Sequence, residues 1–275
     1  MNIAVITNST SYETRSEQVA EFLTRQGHKV TRIESDFIHR EKIKGRPASE
    51  GHIYISTIPY YKNLSLTRLY SHYNFAQKVS NLLESAEMDL IYVLVPANSL
   101  AYFMKKYKQR HKVKVILDII DLWPESLPIS RIKNFWPMQW WRDLRNKSLC
   151  DVDLIMTECK LYQKILKPYI GKTKMVNLYW PRGGETELTV FKKDDDYIHL
   201  CYLGSINHII DIDFIIKLLR EINDKKRVWL HIIGDGERKE ELLEKLNIKQ
   251  LEYTYHGTIY DERCKREIFS LMAAK

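Results

Sequence analysis

Short apolar runs alternate with longer segments of helical period along most of the chain. Asn2–Thr7, apolar at four consecutive positions, reads as a buried strand. Glu13–Gln26 follows as a helix stopped by Gly27, and Lys29–Glu34 as a second strand. The pattern then predicts a strand at Ile53–Thr57, a helix from about Ser65 to Glu84, and a strand at Leu90–Val95. A helix near Ser99–Lys108, a strand at Val113–Ile120, a basic Trp-rich helical region and a strand at Leu154–Thr157 complete the first part. Strands that are apolar throughout and separated by helices imply a parallel sheet covered on both faces.

The pattern resumes with strand His199–Leu203, helix Ile209–Ile222, strand Val228–Ile233, helix Arg238–Leu246, strand Tyr253–His256 and helix Glu262–Met272. This predicts a second Rossmann-like α/β unit, incomplete because it stops after three strand–helix pairs. Turn-formers and charges cluster from Tyr179 to Gly184 and on through Asp196, which places a hinge there and domains at 1–180 and 181–275. Charge divides in the same way: residues 1–180 carry 27 basic and 17 acidic side chains, residues 181–275 carry 16 and 18. Such asymmetry suggests two domains with different partners.

Composition narrows the chemistry mostly by exclusion. The four cysteines, Cys150, Cys159, Cys201 and Cys264, match no CxxC spacing and read as reduced thiols of a cytoplasmic protein. No basic leader precedes the first strand, and no uncharged apolar run approaches 18 residues, so membrane contact is expected to be peripheral. There is no HxxxH pair, no GxSxG elbow and no GxGxxG turn after the first strand, where Thr7-Asn8-Ser9-Thr10-Ser11 stands. No metal is expected. The net charge of +8 invites nucleic acid, but no zinc finger, RNP motif or helix-turn-helix pattern accompanies it.

The sharpest local feature is Asp118-Ile119-Ile120-Asp121-Leu122-Trp123-Pro124-Glu125-Ser126, a buried strand running into acids, Trp and Pro. At the carboxyl end of a parallel strand these groups lie over the crevice where α/β folds bind ligands. The same residues suit a plain turn, with Asp121 as a cap and Trp123 as core. Together with Thr57-Ile58-Pro59-Tyr60 and Asn63-Leu64-Ser65, the segment from Asp121 to Ser126 resembles the bacterial capsule and O-antigen branch of glycosyltransferase family 4. Tyr202-Leu203-Gly204-Ser205 and Ile232-Ile233-Gly234-Asp235-Gly236-Glu237 are similar to that family's donor-domain segments.

The resemblance implies a GT-B fold and retaining transfer from a nucleotide sugar to a lipid-linked or oligosaccharide acceptor. The donor would sit between the domains, its diphosphate against Gly204 and Ser205, where a strand is expected to open directly into a helix N-terminus. Gly234, Asp235 and Gly236 would border the nucleotide, or form only a tight turn. Asp121 and Asp118 are the candidates for orienting the acceptor hydroxyl. The family's Glu-x7-Glu motif has no counterpart after Gly236, so the chain looks cut off before its main donor site. Two other readings stay open: a non-catalytic half that binds a second chain, and a nucleotide-sugar epimerase of the same architecture.

Basic and aromatic residues interleave from Arg131 to Arg145. Arg131, Lys133, Trp136, Trp140, Trp141, Arg142 and Arg145 together suit an interfacial helix on anionic lipid at the inner face of the plasma membrane. Lys105–Lys112 would extend that patch.

Overall fold

The computed structural model of the 275-residue chain describes residues 1–9, 13–39, 41–62, 65–127, 135–179, 196–259 and 261–270. Most of the expected hinge, the Asn63-Leu64 pair, Arg131, Lys133 and the last five residues lie outside them. The chain divides into two compact units, Met1–Arg182 and Gly183–Lys275.

In the first unit seven strands form one sheet in the order β5-β2-β1-β6-β7-β8-β9. They are β1 (Asn2–Thr7), β2 (Lys29–Ser35), β5 (His52–Ile55), β6 (Leu90–Leu94), β7 (Lys114–Ile119), β8 (Leu154–Thr157) and β9 (Lys174–Asn177). Every pairing is parallel, so all carboxyl ends share one edge. A two-stranded hairpin, β3 (Phe37–Ile38) and β4 (Ile43–Lys44), stands beyond β2. The helices are α1 (Glu13–Arg25), α2 (Leu66–Leu83), α3 (Asn98–Arg110), α4 (Trp136–Asn146) and α5 (Lys160–Leu166).

Because neighbouring residues of a strand face opposite ways, β1 feeds two cores. Ala4 and Ile6 join Phe75, Val79, Leu100 and Met104 from α2 and α3 on one face. Ile3 and Val5 meet Ala20 and Val19 of α1 on the other. A smaller cluster, Leu69, Trp123, Met138 and Trp141, seats α4 beside α2.

The second unit has three parallel strands, β10 (Ile198–Leu203), β11 (Val228–Ile233) and β12 (Glu252–Gly257), in that order. Its helices are α6 (Ile212–Asn223), α7 (Lys239–Ile248) and α8 (Glu262–Ser270). Leu230 and Ile232 of β11 pack with Ile212, Ile216, Leu242 and Leu246 of α6 and α7. By strand alternation His199, Cys201, His231 and His256 occupy the other face. There the three imidazoles form a hydrogen-bonded row, His199 Nδ1 to His231 Nε2 at 2.8 Å and His231 Nδ1 to His256 Nε2 at 3.1 Å.

Candidate active site

The turn after β5 is fixed first. Asp36 accepts the Thr57 amide at 2.8 Å, and the Ser35 and Thr57 hydroxyls meet at 2.9 Å. Ser71 on α2 donates to the Ile58 carbonyl at 2.6 Å, which ties the turn to that helix. The result is a buried Tyr60 whose hydroxyl lies 2.8 Å from His39 Nδ1 and 3.4 Å from His72 Nε2. Ser65 caps α2 by accepting the Arg68 amide at 3.2 Å, so Arg68 stands in the first helical turn. Its guanidinium lies 5.9 Å from the Tyr60 ring centroid and 5.4 Å from that of Trp123.

Asp121 follows β7 in a half-buried loop and accepts from the Ser126 hydroxyl at 3.0 Å. Burial pushes its carboxyl above the ordinary value of 3.8, against the pull of the Ser126 hydroxyl and the charges of Arg68 and Arg145. The plain-turn features are present: Asp121 ties its turn together through Ser126, and Trp123 belongs to the core cluster. The neighbouring strand β8 delivers Glu158 to the same edge. Burial raises Glu158 too, opposed by Arg15 and reinforced by Asp118 and Asp121. Tyr162 is raised by burial and by the same pair, Asp121 and Glu158.

Asp118 departs from its expected role. It has no exposed surface and accepts from Arg15 Nε at 2.6 Å, from another Arg15 nitrogen at 2.9 Å and from the Tyr92 hydroxyl at 2.5 Å. Three residues before Asp121, its position in the strand turns it onto the face that α1 covers. Arg15 also donates to the Leu178 carbonyl at 2.9 Å, so the pair joins α1, β7 and the end of β9. Asp118 holds the scaffold and meets no acceptor.

The donor-side residues sit at the carboxyl ends of β10 and β11. Gly204 (φ +153°) and Gly234 (φ +144°) bring the two loops into backbone contact, with Gly204 N–H donating to the Ile233 carbonyl at 3.0 Å and Ile206 N–H to the Asp235 carbonyl at 3.0 Å. Asp235 accepts from the Gly236 amide at 2.7 Å. Ser205 does not open a helix as expected. The helix α6 begins only at Ile212, where the Asp211 carboxylate caps it by accepting the Phe214 amide at 2.9 Å. Its positive end is already met by an anion.

On α4 the basic aromatic segment divides by helical face. Trp136 is 71% exposed and Trp140 46%, but Trp141 and Arg145 are 0% exposed. The two buried residues are four apart and share a face with Met138, whereas Trp136 and Trp140 lie on the other. Arg145 turns inward because Glu125 takes its guanidinium at 2.5 Å. Neither Trp141 nor Arg145 reaches a lipid surface; Arg142 is half-buried. Lys105, Lys108 and Arg110 are bridged to Asp151, Asp153 and Glu84 at 2.6, 2.7 and 2.8 Å, so they add little net charge to the patch.

Arg68, His39, His72 and Glu158 are site residues that sequence reasoning did not single out. A position at a strand end marks Glu158 in the sequence; nothing local marks the others. An open cavity of about 540 Å³ between α1 and the β2–β5 edge, lined by Glu17, Thr24, Arg32, Glu50 and His52, lies away from these groups. Among the described residues no cluster of His, Cys, Asp and Glu has the arrangement of a metal site, and no helix is long and apolar enough to cross a membrane.

No family model matches the sequence, and no curated protein matches it. Solved structures do. The lipopolysaccharide outer core galactosyltransferase WaaB superimposes with a TM-score of 0.62 at 16% identity, over 94% of this chain and 69% of that one. Sucrose-phosphate synthase from Thermosynechococcus elongatus gives 0.64 at 13% identity, over 94% and 71%. Anabaena HepE in complex with UDP gives 0.56 at 12% identity, over 95% and 70%. The fold of this chain, two Rossmann-like units with parallel sheets, is accordingly that of the GT-B glycosyltransferases.

Proposed function

We propose that the protein transfers a sugar from a nucleotide-sugar donor to a lipid-linked or oligosaccharide acceptor in bacterial capsule, O-antigen or exopolysaccharide assembly. The observation that carries this reading is the match, over nearly the whole chain, to a solved galactosyltransferase, a sucrose-phosphate synthase and a protein in complex with UDP. In this reading the nucleotide diphosphate lies against Gly204 and Ser205, with Gly234, Asp235 and Gly236 alongside. The acceptor binds at the first unit, where Asp121 accepts a hydrogen bond from the reacting hydroxyl and so orients it. Asp121 suits that role in its ionised form, and the charges of Arg68 and Arg145 favour that form against burial. Glu158 is a second carboxylate at the same edge. Transfer proceeds with retention and without a metal, backbone N–H groups and cations stabilising the leaving phosphate.

The enzyme works on the cytoplasmic face of the membrane. Exposed Phe135, Trp136 and Trp140 of the α4 region supply apolar anchors, and the excess of basic side chains in the first unit supplies attraction to anionic lipid.

The test is a transfer assay on the full chain with UDP- and GDP-linked sugars and a membrane extract as acceptor source. Labelled product formed by the unaltered chain and lost in Asp121→Asn is the expected result. Absence of product with every donor, together with no calorimetric binding of UDP or GDP, would defeat the reading.

A further inference from the structure

The turn that carries Asp121 is closed by two backbone bonds, Ser126 N–H to the Leu122 carbonyl at 2.9 Å and Leu127 N–H to the Pro124 carbonyl at 3.1 Å. Neither reaches the Asp121 side chain. That carboxylate is held through the Ser126 hydroxyl, which donates to Oδ1 and leaves Oδ2 without a partner among the described residues. Ser126 is exposed, and a hydroxyl there can turn toward water, so the bond depends on what fixes the Ser126 backbone. Glu125, one residue before, is fixed from α4: its Oε1 accepts from Arg145 Nη2 at 2.5 Å. The guanidinium is fully buried and set by further bonds, from Nε and Nη2 to Asn146 Oδ1 at 3.0 and 2.8 Å and from Nη1 to the Trp123 carbonyl at 3.5 Å. Two parts of the turn, the Trp123 carbonyl and the Glu125 side chain, are thus anchored to one planar group. The titratable groups acting on or with Asp121 are Arg68 on α2, Arg145 on α4, Glu125 in the turn itself, and Glu158 and Tyr162 after β8.

We propose that Arg145 and Glu125 form a positioning pair for Asp121, holding the turn so that Ser126 keeps its hydroxyl on Oδ1 and Oδ2 is left, in a set direction, for the acceptor hydroxyl. The proposal rests on the transferase reading, which gives Asp121 its task. A buried ion pair brings little net stability compared with apolar residues of the same volume. Its contribution here is geometry: a carboxylate with one oxygen tied presents the other at a defined angle, and orientation of a reacting group is where positioning residues act.

The titration of the Asp121 carboxyl, followed by NMR in the full chain with isotope-labelled aspartate carboxyls and assigned by its loss in Asp121→Asn, tests the pair. Glu125→Gln and Glu125→Ala remove the same charge, but Gln keeps an oxygen for Arg145 and Ala does not. We expect the midpoint in Glu125→Ala to lie above that in Glu125→Gln by about 0.5 pH unit, because the Ser126 bond that favours the ionised form is loosened. Ser126→Ala should raise the parent's midpoint as well, and in that background the two substitutions of Glu125 should give the same value. Arg145→Lys, which keeps the charge and loses the fork, should also raise it. Ser85→Ala, the loss of an exposed hydroxyl elsewhere, should leave it as in the parent. Equal midpoints in Glu125→Gln and Glu125→Ala, a difference that survives in Ser126→Ala, or an unchanged midpoint in Ser126→Ala overturns the proposal. Where Glu125→Ala does not fold, an unchanged midpoint in Arg145→Lys overturns it instead. The midpoints are read without substrate, which separates the two claims. Sugar transfer by a parent whose variants show no such differences leaves the transferase reading standing without the pair. The expected differences in a chain with no transfer activity keep the pair and remove the transferase reading.

Discussion

The backbone of Gly204 occupies the space that a side chain on Gly234 would need: a Cβ there would lie 1.9 Å from the Gly204 carbonyl oxygen. Gly236 stands in the same relation to Ile206, at 2.2 Å. These glycines are required by loop-to-loop packing, whether or not a nucleotide lies above them. Gly234→Ala is therefore expected to destabilise the second unit by about 3 kcal/mol or more, from the clash plus a positive φ. Gly27→Ala, where nothing lies within 4 Å, should cost only about 1 kcal/mol. Urea unfolding of the two variants, followed by hydrogen exchange of β10 and β11, gives the comparison. Equal losses would show that the contact between the loops is relaxed at little expense.

Two aspartates three residues apart should behave in opposite ways. Asp118→Asn leaves Arg15 buried without its ion pair and should cost about 3 to 5 kcal/mol. Asp121→Asn removes a carboxylate that burial already disfavours and should leave stability near that of the parent while transfer is lost. Thermal melts and a transfer assay on both variants separate scaffold from chemistry. An Asp118→Asn chain as stable as the parent would contradict the buried-pair account.

Because the Asp121 carboxyl is raised, the acidic limb of kcat/KM should lie at higher pH than a carboxylate of ordinary value 3.8 would give. Its window runs from 3.8 up to the folded-state value, within which the folded protein binds the extra proton. A pH–rate profile measures it, and a limb at or below 3.8 would remove Asp121 from the rate-determining ionisation.

Stability near neutrality should depend on histidine in the other sense. Burial, followed by the charge of Arg68, holds His72 well below 6.5, and burial lowers His256. Below about pH 6.5 the unfolded chain takes up protons that these folded-state groups refuse, so stability is present above that pH and is lost as it falls. The urea midpoint should drop between about pH 7.5 and about pH 5.5, and His256→Gln should lessen the drop. A midpoint that rises over this interval would show that the raised carboxylates Asp121 and Glu158 outweigh the histidines.

Liposome flotation should show binding to anionic vesicles that falls with salt and falls again in the Trp136→Ala/Trp140→Ala double variant. Trp141→Ala, by contrast, empties a core position and should lower stability by about 3 to 5 kcal/mol. Flotation unaffected by the double variant would exclude α4 as the contact.

Much of the fold was legible because its signal is local. Asn2–Thr7 and Val228–Ile233 match their strands residue for residue, being apolar runs between turn signals. β9 (Lys174–Asn177) escaped because an edge strand four residues long, with Lys and Asn at its ends, carries almost no pattern. The helix after β10 starts three residues later than its apolar period suggests, because Asp211 caps it and leaves Ile209 and Ile210 before the cap. Asp121 was legible from its place at a strand end. The role of Asp118 is hidden from the sequence because its partner is 103 positions away, and Arg68, His39 and His72 meet around Tyr60 through long-range packing that leaves no local trace. The division of Trp140 from Trp141 was within reach: i, i+4 spacing puts Trp141 with Arg145 and Trp136 with Trp140.

Asn98, fully buried at the start of α3, donates through one nitrogen to two carbonyls, that of Trp123 at 2.9 Å and that of Trp141 at 3.0 Å. Arg145 repeats the link through Glu125. The acidic loop and α4 are thereby held as one piece, with Asp121 in the loop and the exposed indole of Trp136 on the helix. Any displacement of α4 must therefore either carry the Asp121 loop with it or break the buried Asn98 and Arg145 links.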